Sequence, residues 1–179
     1  HCVVYQAPVN TDDFQRGPIT IIKVKDKVGT APEKAELKNP MEAFIKKHNT
    51  CTFATGHGCC VRATPIEYNY FNGSFYLLSE GGKKFINLIY NSRVSISIYD
   101  ESTGMEKIGG MQITGTAVII AIGSEEYKSI LRERGIAFEK IKSMPIALNM
   151  IKVNVSRIEF LWTGFKTLGF DVKQVLVFD

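Results

Sequence analysis

The sequence predicts a mainly β chain, an antiparallel barrel with helices inserted singly, and three observations carry that expectation. From Thr50 onward apolar residues recur every second position in runs of strand length, rich in Val, Ile, Thr and aromatics. Hairpin signals rather than helices join most of these runs, so they do not alternate as β-α-β units and a parallel, doubly wound sheet is not expected. Six or so short strands would also leave many open edges, which closure into a barrel removes.

In chain order, residues 1–38 read as a peripheral N-terminal extension. Pro8, Gly17, Pro18, Gly29 and Pro32 surround one β-like run, Ile19 to Lys25. Asn39-Pro40-Met41-Glu42 then offers an N-cap, a proline at the first helical position and a capping-box glutamate. Met41, Phe44, Ile45 and His48 follow at i, i+3, i+4 and i+7, which predicts an amphipathic helix. "TCTFAT" and "CCVRATPIEYNYF" flank Gly56-His57-Gly58 and read as two strands around a tight turn. Asn72-Gly73 predicts a second hairpin into a strand over Ser74 to Ser79. A short helix from Lys83 to Asn91 is expected to bury Phe85, Leu88 and Ile89.

"RVSISIYD" and "MQITGTAVIIAI" read as strands on either side of a Gly-rich connection. Ser124, with Glu125 and Glu126 behind it, starts a helix whose stripe is Tyr127, Ile130 and Leu131. After Pro145, "IALNMIKVNV" and "RIEFLW" read as two further β runs.

With 45% hydrophobic residues among 179 and no apolar run approaching twenty, the chain is expected to be one globular domain that does not enter a membrane. Its net charge of +4 is modest and its lysines are scattered, which favours small anionic ligands over nucleic acid. Cys2, Cys51, Cys59 and Cys60 are expected to be reduced thiols, and with no secretory pattern in view the expected compartment is the cytoplasm.

"SEGGKKFINL" stands out against this background. The positive end of a helix dipole disfavours lysines in the first turn unless an anion is held there, and two glycines let backbone N–H groups approach it. A surface lysine pair is the plainer reading of the same residues. Cys51, His57, Cys59 and Cys60 have the composition of a zinc site, but adjacent cysteines on a strand point to opposite faces, so no metal is expected. One of Cys59 and Cys60 is expected to fill the interior and the other to face out. His57 is expected to be exposed at a turn tip. A Cys60–His57 nucleophilic pair is a weaker reading. Trp162 is expected in the core. No His or Cys follows Cys60, so the C-terminal region has no axial ligand for haem.

Five pieces in order resemble the FMN-binding split barrel of the pyridoxamine 5'-phosphate oxidase-like superfamily. They are Val61-Arg62-Ala63-Thr64-Pro65, Phe75 to Ser79, Gly82-Lys83-Lys84, Asn91-Ser92-Arg93-Val94 and Gln112-Ile113-Thr114-Gly115. The resemblance runs from about Asn39 to Trp162 and implies that residues 39–179 form a split-barrel domain binding FMN. It places Arg62 and Lys84 on the flavin phosphate, with Lys83 assisting. The backbone of Leu77, Leu78 and Ser79 would lie along the ring, Thr64 would offer a hydroxyl, and Ala63 and Gln112 would complete the cofactor contacts. It also implies a homodimer and an FMN-dependent oxidoreductase that takes reducing equivalents from NADH or NADPH to a small-molecule acceptor. A non-catalytic flavin- or haem-binding module is the alternative. The C-terminal Arg and His of the true oxidases are missing from "RIEFLWTGFKTLGFD", and Leu77 and Leu78 stand where nitroimidazole-resistance relatives place a histidine, so neither of those substrates is expected. Glu67 occupies a position where the oxidases commonly carry a second basic residue.

Overall fold

Hairpin pairing organises the chain, as a computed structural model that describes residues 34–101, 104 and 106–178 shows. The expected run Ile19 to Lys25 lies outside the described residues. The elements are α1 (Lys34–Lys47), β1 (Thr50–His57), β2 (Cys60–Phe71), β3 (Ser74–Ser79), α2 (Lys83–Tyr90), β4 (Arg93–Tyr99), β5 (Gly109–Ile120), α3 (Glu125–Glu133), α4 (Phe138–Lys142), β6 (Asn149–Trp162), a 3-10 helix (Thr163–Leu168) and β7 (Lys173–Val177). The strands bond in the order β3-β2-β1-β4-β5-β6, every pair antiparallel, and β6 returns to β3 to close a six-stranded barrel.

β6 makes the closure possible because it is long enough to serve three neighbours. Asn149 to Asn154 pair with β3, Leu161 to Arg157 pair with β7, and nearly the whole strand pairs with β5. The sequence reading of two β runs here is corrected to one strand: the register shifts between Thr114 and Gly115, and the resulting irregularity interrupts the period-two pattern around Ser156. A Cβ on Gly115 would stand 2.4 Å from the Asn154 carbonyl oxygen, so the close approach of the two strands requires glycine.

Alternation does the rest. Val94, Ile96 and Ile98 on β4 and Met111, Ile113 and Ala117 on β5 turn inward and meet Phe53, Phe75, Leu77, Ile151, Val153, Ile158 and Phe160. α1 adds Leu37, Met41, Phe44 and Ile45 to this core, and Tyr68 donates a 2.6 Å hydrogen bond to the Ile45 carbonyl. The expected cap at Asn39 is corrected, because α1 begins at Lys34 and carries Pro40 inside it. Leu37 and Met41 form one apolar stripe across the proline, and burial of that stripe outweighs the backbone bond that proline cannot donate. Trp162 packs on the same core, stacked on Phe160 and edge-on to Phe165.

Three further expectations change in detail. His57 is the last residue of β1, opposite Cys60, so the turn is Gly58-Cys59; the imidazole stacks on the Tyr90 ring at 4.3 Å. Cys59 and Cys60 are both exposed, and the thiol in the interior is that of Cys51, whose pKa burial pushes up to about 12. In α2 the inward positions are Lys84, Asn87 and Leu88, while Ile89 is 74% exposed. Polar anchoring sets this phase: the Asn87 amide donates to the Thr55 carbonyl and hydroxyl, and the Asn91 amide donates to the Gly56 carbonyl.

α3 and α4 cover the outside of the barrel, where Tyr76, Ile120 and Met150 meet Tyr127, Ile130, Leu131 and Ile141 in a second cluster. Ser124 caps α3 as expected, its hydroxyl accepting from the Tyr127 N–H. Among the described residues no helix is long and apolar enough to cross a membrane, and no three His, Cys, Asp or Glu side chains gather as metal ligands.

Candidate functional site

Strand parity aims the candidate residues. On β2, Arg62, Thr64 and Ile66 share the face of the buried Tyr68, and Arg62 pairs in register with Thr55, the residue that anchors α2. Ser79 ends β3 and leads through Glu80 to Gly81 and Gly82, at φ 147° and 104°, a backbone that side chains with a Cβ rarely adopt. The Ser79 hydroxyl accepts from the Gly81 N–H at 3.3 Å and holds the bend. α2 starts directly after it with no side-chain cap.

Lys84 folds back into this bend. Its side chain is 9% exposed, its ammonium donates to the Gly81 carbonyl at 2.5 Å, and it lies 5.5 Å from the Phe85 ring centre. Burial first, and then the neighbouring Arg62 guanidinium, pull its pKa below the ordinary lysine value. Among the described residues no carboxylate forms an ion pair with Lys84 or Arg62. Lys84 is therefore a nearly buried cation under the influence of exposed Arg62, with no carboxylate among the described residues to balance either.

Beside them lies an open depression of about 630 Å³, lined by Thr64, Pro65, Ile66, Leu78, Ser79, the Glu80 to Gly82 bend, Lys84 and Ile146. Of the residues singled out from the sequence, Thr64, Leu78, Ser79 and Lys84 meet here, and Arg62 acts on Lys84 from the adjoining strand. Ala63 lies on the opposite face of β2 from Arg62. The Leu77 side chain is fully buried in the barrel, and Lys83 is exposed on the first turn of α2. Gln112 stands apart, on β5 between Ser97 and Glu159, in a separate hollow of about 320 Å³ with Tyr99, Leu161 and Lys173. Ile66 and Ile146 line the depression without having been singled out, whereas Pro65 was quoted only as part of the resembling stretch and the glycine pair carried a local signal.

Glu67 does not intrude. It lies on the opposite face of β2 from Arg62, and the Arg134 guanidinium donates to its carboxylate at 3.1 Å. The donor set accordingly suits a doubly charged anion. A guanidinium offers a planar fork, an ammonium a point charge, and an anion between them would offset the repulsion that now lowers the Lys84 pKa. The chemistry of these donors is that of an anion site, and the apolar walls of Pro65, Ile66, Leu78 and Ile146 suit a flat ring beside it.

A closed six-stranded antiparallel barrel with this set of helices is a split barrel of the pyridoxamine 5'-phosphate oxidase-like kind. The chain belongs to the pyridoxamine 5'-phosphate oxidase family, whose model matches residues 37–162. No curated protein matches it in sequence. Among solved structures it is similar to Campylobacter jejuni ChuZ, at 14% identity over 83% of this chain and 62% of that one, with a TM-score of 0.62. HutZ of Vibrio cholerae, described as a heme storage protein, is 13% identical over 79% of this chain and 94% of its own, with a TM-score of 0.56. A FAD-binding protein of Mesorhizobium loti is 15% identical over 67% of this chain and 90% of its own, with a TM-score of 0.52. At these identities the likeness is one of fold.

Proposed function

We propose that the chain is an FMN-binding oxidoreductase that takes reducing equivalents from NADH or NADPH and delivers them to a small-molecule acceptor. The observation that carries the reading is Lys84: a nearly buried ammonium whose charged neighbour is another cation. Arg62 and Lys84 grip the phosphate, and exposed Lys83 adds charge at the entrance. Thr64 and Ser79 orient the flavin by hydrogen bonding, and Pro65, Ile66, Leu78 and Ile146 keep water from one side of its ring. FMN supplies the hydride or electron transfer, so the protein needs to supply position and electrostatics rather than a side-chain acid or base.

Gln112 enters this reading through a second copy. Its hollow lies on β4, β5 and β6, away from the depression, so a Gln112 contact is assigned to the flavin of a partner subunit in a homodimer. The free thiols of Cys51 and Cys60 suit a cytoplasmic setting.

Haem is the second reading, and the heme storage description of HutZ favours it. Against it, neither His48 nor His57 lines the depression, and haem iron needs an axial ligand. Titration of the purified protein with FMN and with haemin separates the readings. FMN is expected to bind with stoichiometry of one per chain, and NADH or NADPH is expected to bleach its visible absorption, with recovery on adding an acceptor. Binding without bleaching would leave a non-catalytic flavin module. A haem Soret band together with no FMN uptake would overturn the flavin assignment.

A further inference from the structure

Pro65 is a shared wall. Besides the depression beside α2, it lines a second hollow of about 500 Å³ together with Thr50, Thr52, Tyr99, Asp100, Glu101 and the end of α1. On β1, Thr50 and Thr52 alternate with buried Cys51 and Phe53, so their hydroxyls stand on the outer face of the sheet. Thr52 has Pro65 opposite it on one side and Ser97 on the other. Tyr99 ends β4 and leaves its ring 63% exposed.

Charge in this hollow is sorted. Lys47, the one lysine or arginine among its lining residues, donates to the Asp100 carboxylate at 2.5 Å, and His48 Nε2 lies 3.0 Å from the same oxygen. The bond from Lys47 is the largest of the causes that hold the Asp100 carboxyl below its ordinary range. Lys47 and Asp100 thus offset each other. Glu101, exposed and in no ion pair among the described residues, is the carboxylate left to meet a ligand.

We propose that this hollow takes the adenosine half of the nicotinamide donor, and that Glu101 selects NADH over NADPH. The inference rests on the flavin reading for the donor's other half alone. A dinucleotide is two nucleotides joined end to end. With its nicotinamide at a flavin on one side of Pro65, its adenosine extends away, and the adjoining hollow lies across that same residue. The volume falls within the roughly 300–1,000 Å³ of small-molecule sites. The exposed Tyr99 ring offers a platform on which a base can stack, and the Thr50 and Thr52 hydroxyls can bond to sugar oxygens. A carboxylate accepts from the 2'- and 3'-hydroxyls of an unmodified ribose, as carboxylates do in dinucleotide sites. A 2'-phosphate at the same place brings like charge against Glu101, while the lining lysine is already paired.

The test uses the full chain, with and without FMN, and ADP-ribose and 2'-phospho-ADP-ribose as probes in calorimetric titration. The parent is expected to bind ADP-ribose about tenfold or more tightly than its 2'-phosphorylated form, and to show a similar excess of kcat/KM for NADH over NADPH. Glu101→Arg is expected to reverse both preferences, through KM rather than kcat, and to leave FMN affinity unchanged. Tyr99→Ala is expected to weaken both probes alike, which separates the stacking platform from the charge. A parent that favours the 2'-phosphorylated probe, or a preference that Glu101→Arg does not alter, would overturn the proposal. FMN uptake without ADP-ribose binding would also overturn it and leave the flavin reading standing. Glu101-dependent ADP-ribose binding by a chain that takes up no FMN would uphold the adenosine site and sink the flavin reading instead.

Discussion

Lys84 and Lys152 both stand near aromatic rings, and their surroundings differ in sign. Lys152 on β6 lies 5.7 Å from the Tyr76 ring centre and donates to the Glu126 carboxylate at 2.7 Å, while the Tyr76 hydroxyl donates to the same carboxylate at 3.0 Å. The hydrogen bond to Glu126 raises the Lys152 pKa, and the bond from Lys152 lowers that of Glu126, so each charge is stabilised by its partner. Lys84 lies 5.5 Å from Phe85 and meets a carbonyl and a guanidinium; burial lowers its pKa and Arg62 lowers it further. One lysine fastens α3 to the barrel. The other holds charge that no carboxylate among the described residues balances, and on the proposed reading that imbalance serves the flavin phosphate.

Removing the unbalanced pair should break this contrast most severely. Arg62→Ala with Lys84→Ala is expected to weaken FMN binding by roughly 3–6 kcal/mol, from two charge-assisted contacts of about 1.5–3 kcal/mol each. Fluorescence titration reads this directly. The balanced lysine should matter to stability instead: Glu126→Ala is expected to cost about 1 kcal/mol in urea denaturation, discounted for the partial exposure of both partners, and to leave FMN affinity unchanged.

Lys84→Met in ligand-free protein sharpens the comparison. Removing a desolvated, unpaired charge is expected to leave stability unchanged or raise it by up to about 1 kcal/mol, opposite in sign to Glu126→Ala. The smallest effect is in pH dependence. Because the folded Lys84 pKa lies below 10.5, unfolding takes up a proton between that value and 10.5, so its contribution to stability rises with pH across the interval. The folded Lys152 pKa lies above 10.5, so its contribution is complete below 10.5 and is lost as pH rises through the folded value. Difference curves against Lys84→Met and Lys152→Met should slope in opposite directions.

What could be read from the residues follows from how local each signal is. Strands β1, β4 and β5 announce themselves through period-two burial, and β2 and β3 through the Asn72-Gly73 turn between them, where both residues take positive φ. α3 announces itself through the Ser124 cap. The start of α1 could not be read, because Pro40 has the look of a first helical residue and only packing of Leu37 reveals that the helix begins earlier. β6 looked like two strands because its irregularity depends on the partner strand at Gly115. β7 and the 3-10 helix lay hidden in a segment where two glycines break any period.

The candidate site divides in the same way. Lys84 was readable because charge at a helix start conflicts with the dipole, a conflict contained within a few residues. Ile66 and Ile146 were not, since chain positions far apart meet there only after closure, and neither could the distance between Gln112 and the depression be foreseen.

The central claim is that the Arg62 and Lys84 corner recognises a phosphate. Riboflavin is FMN without that phosphate, so the ratio of the two affinities in the parent protein and in Arg62→Ala with Lys84→Ala measures the corner alone. The account predicts that the parent prefers FMN by at least 100-fold and that the preference falls close to one in the double variant. An equal preference in both proteins would contradict it.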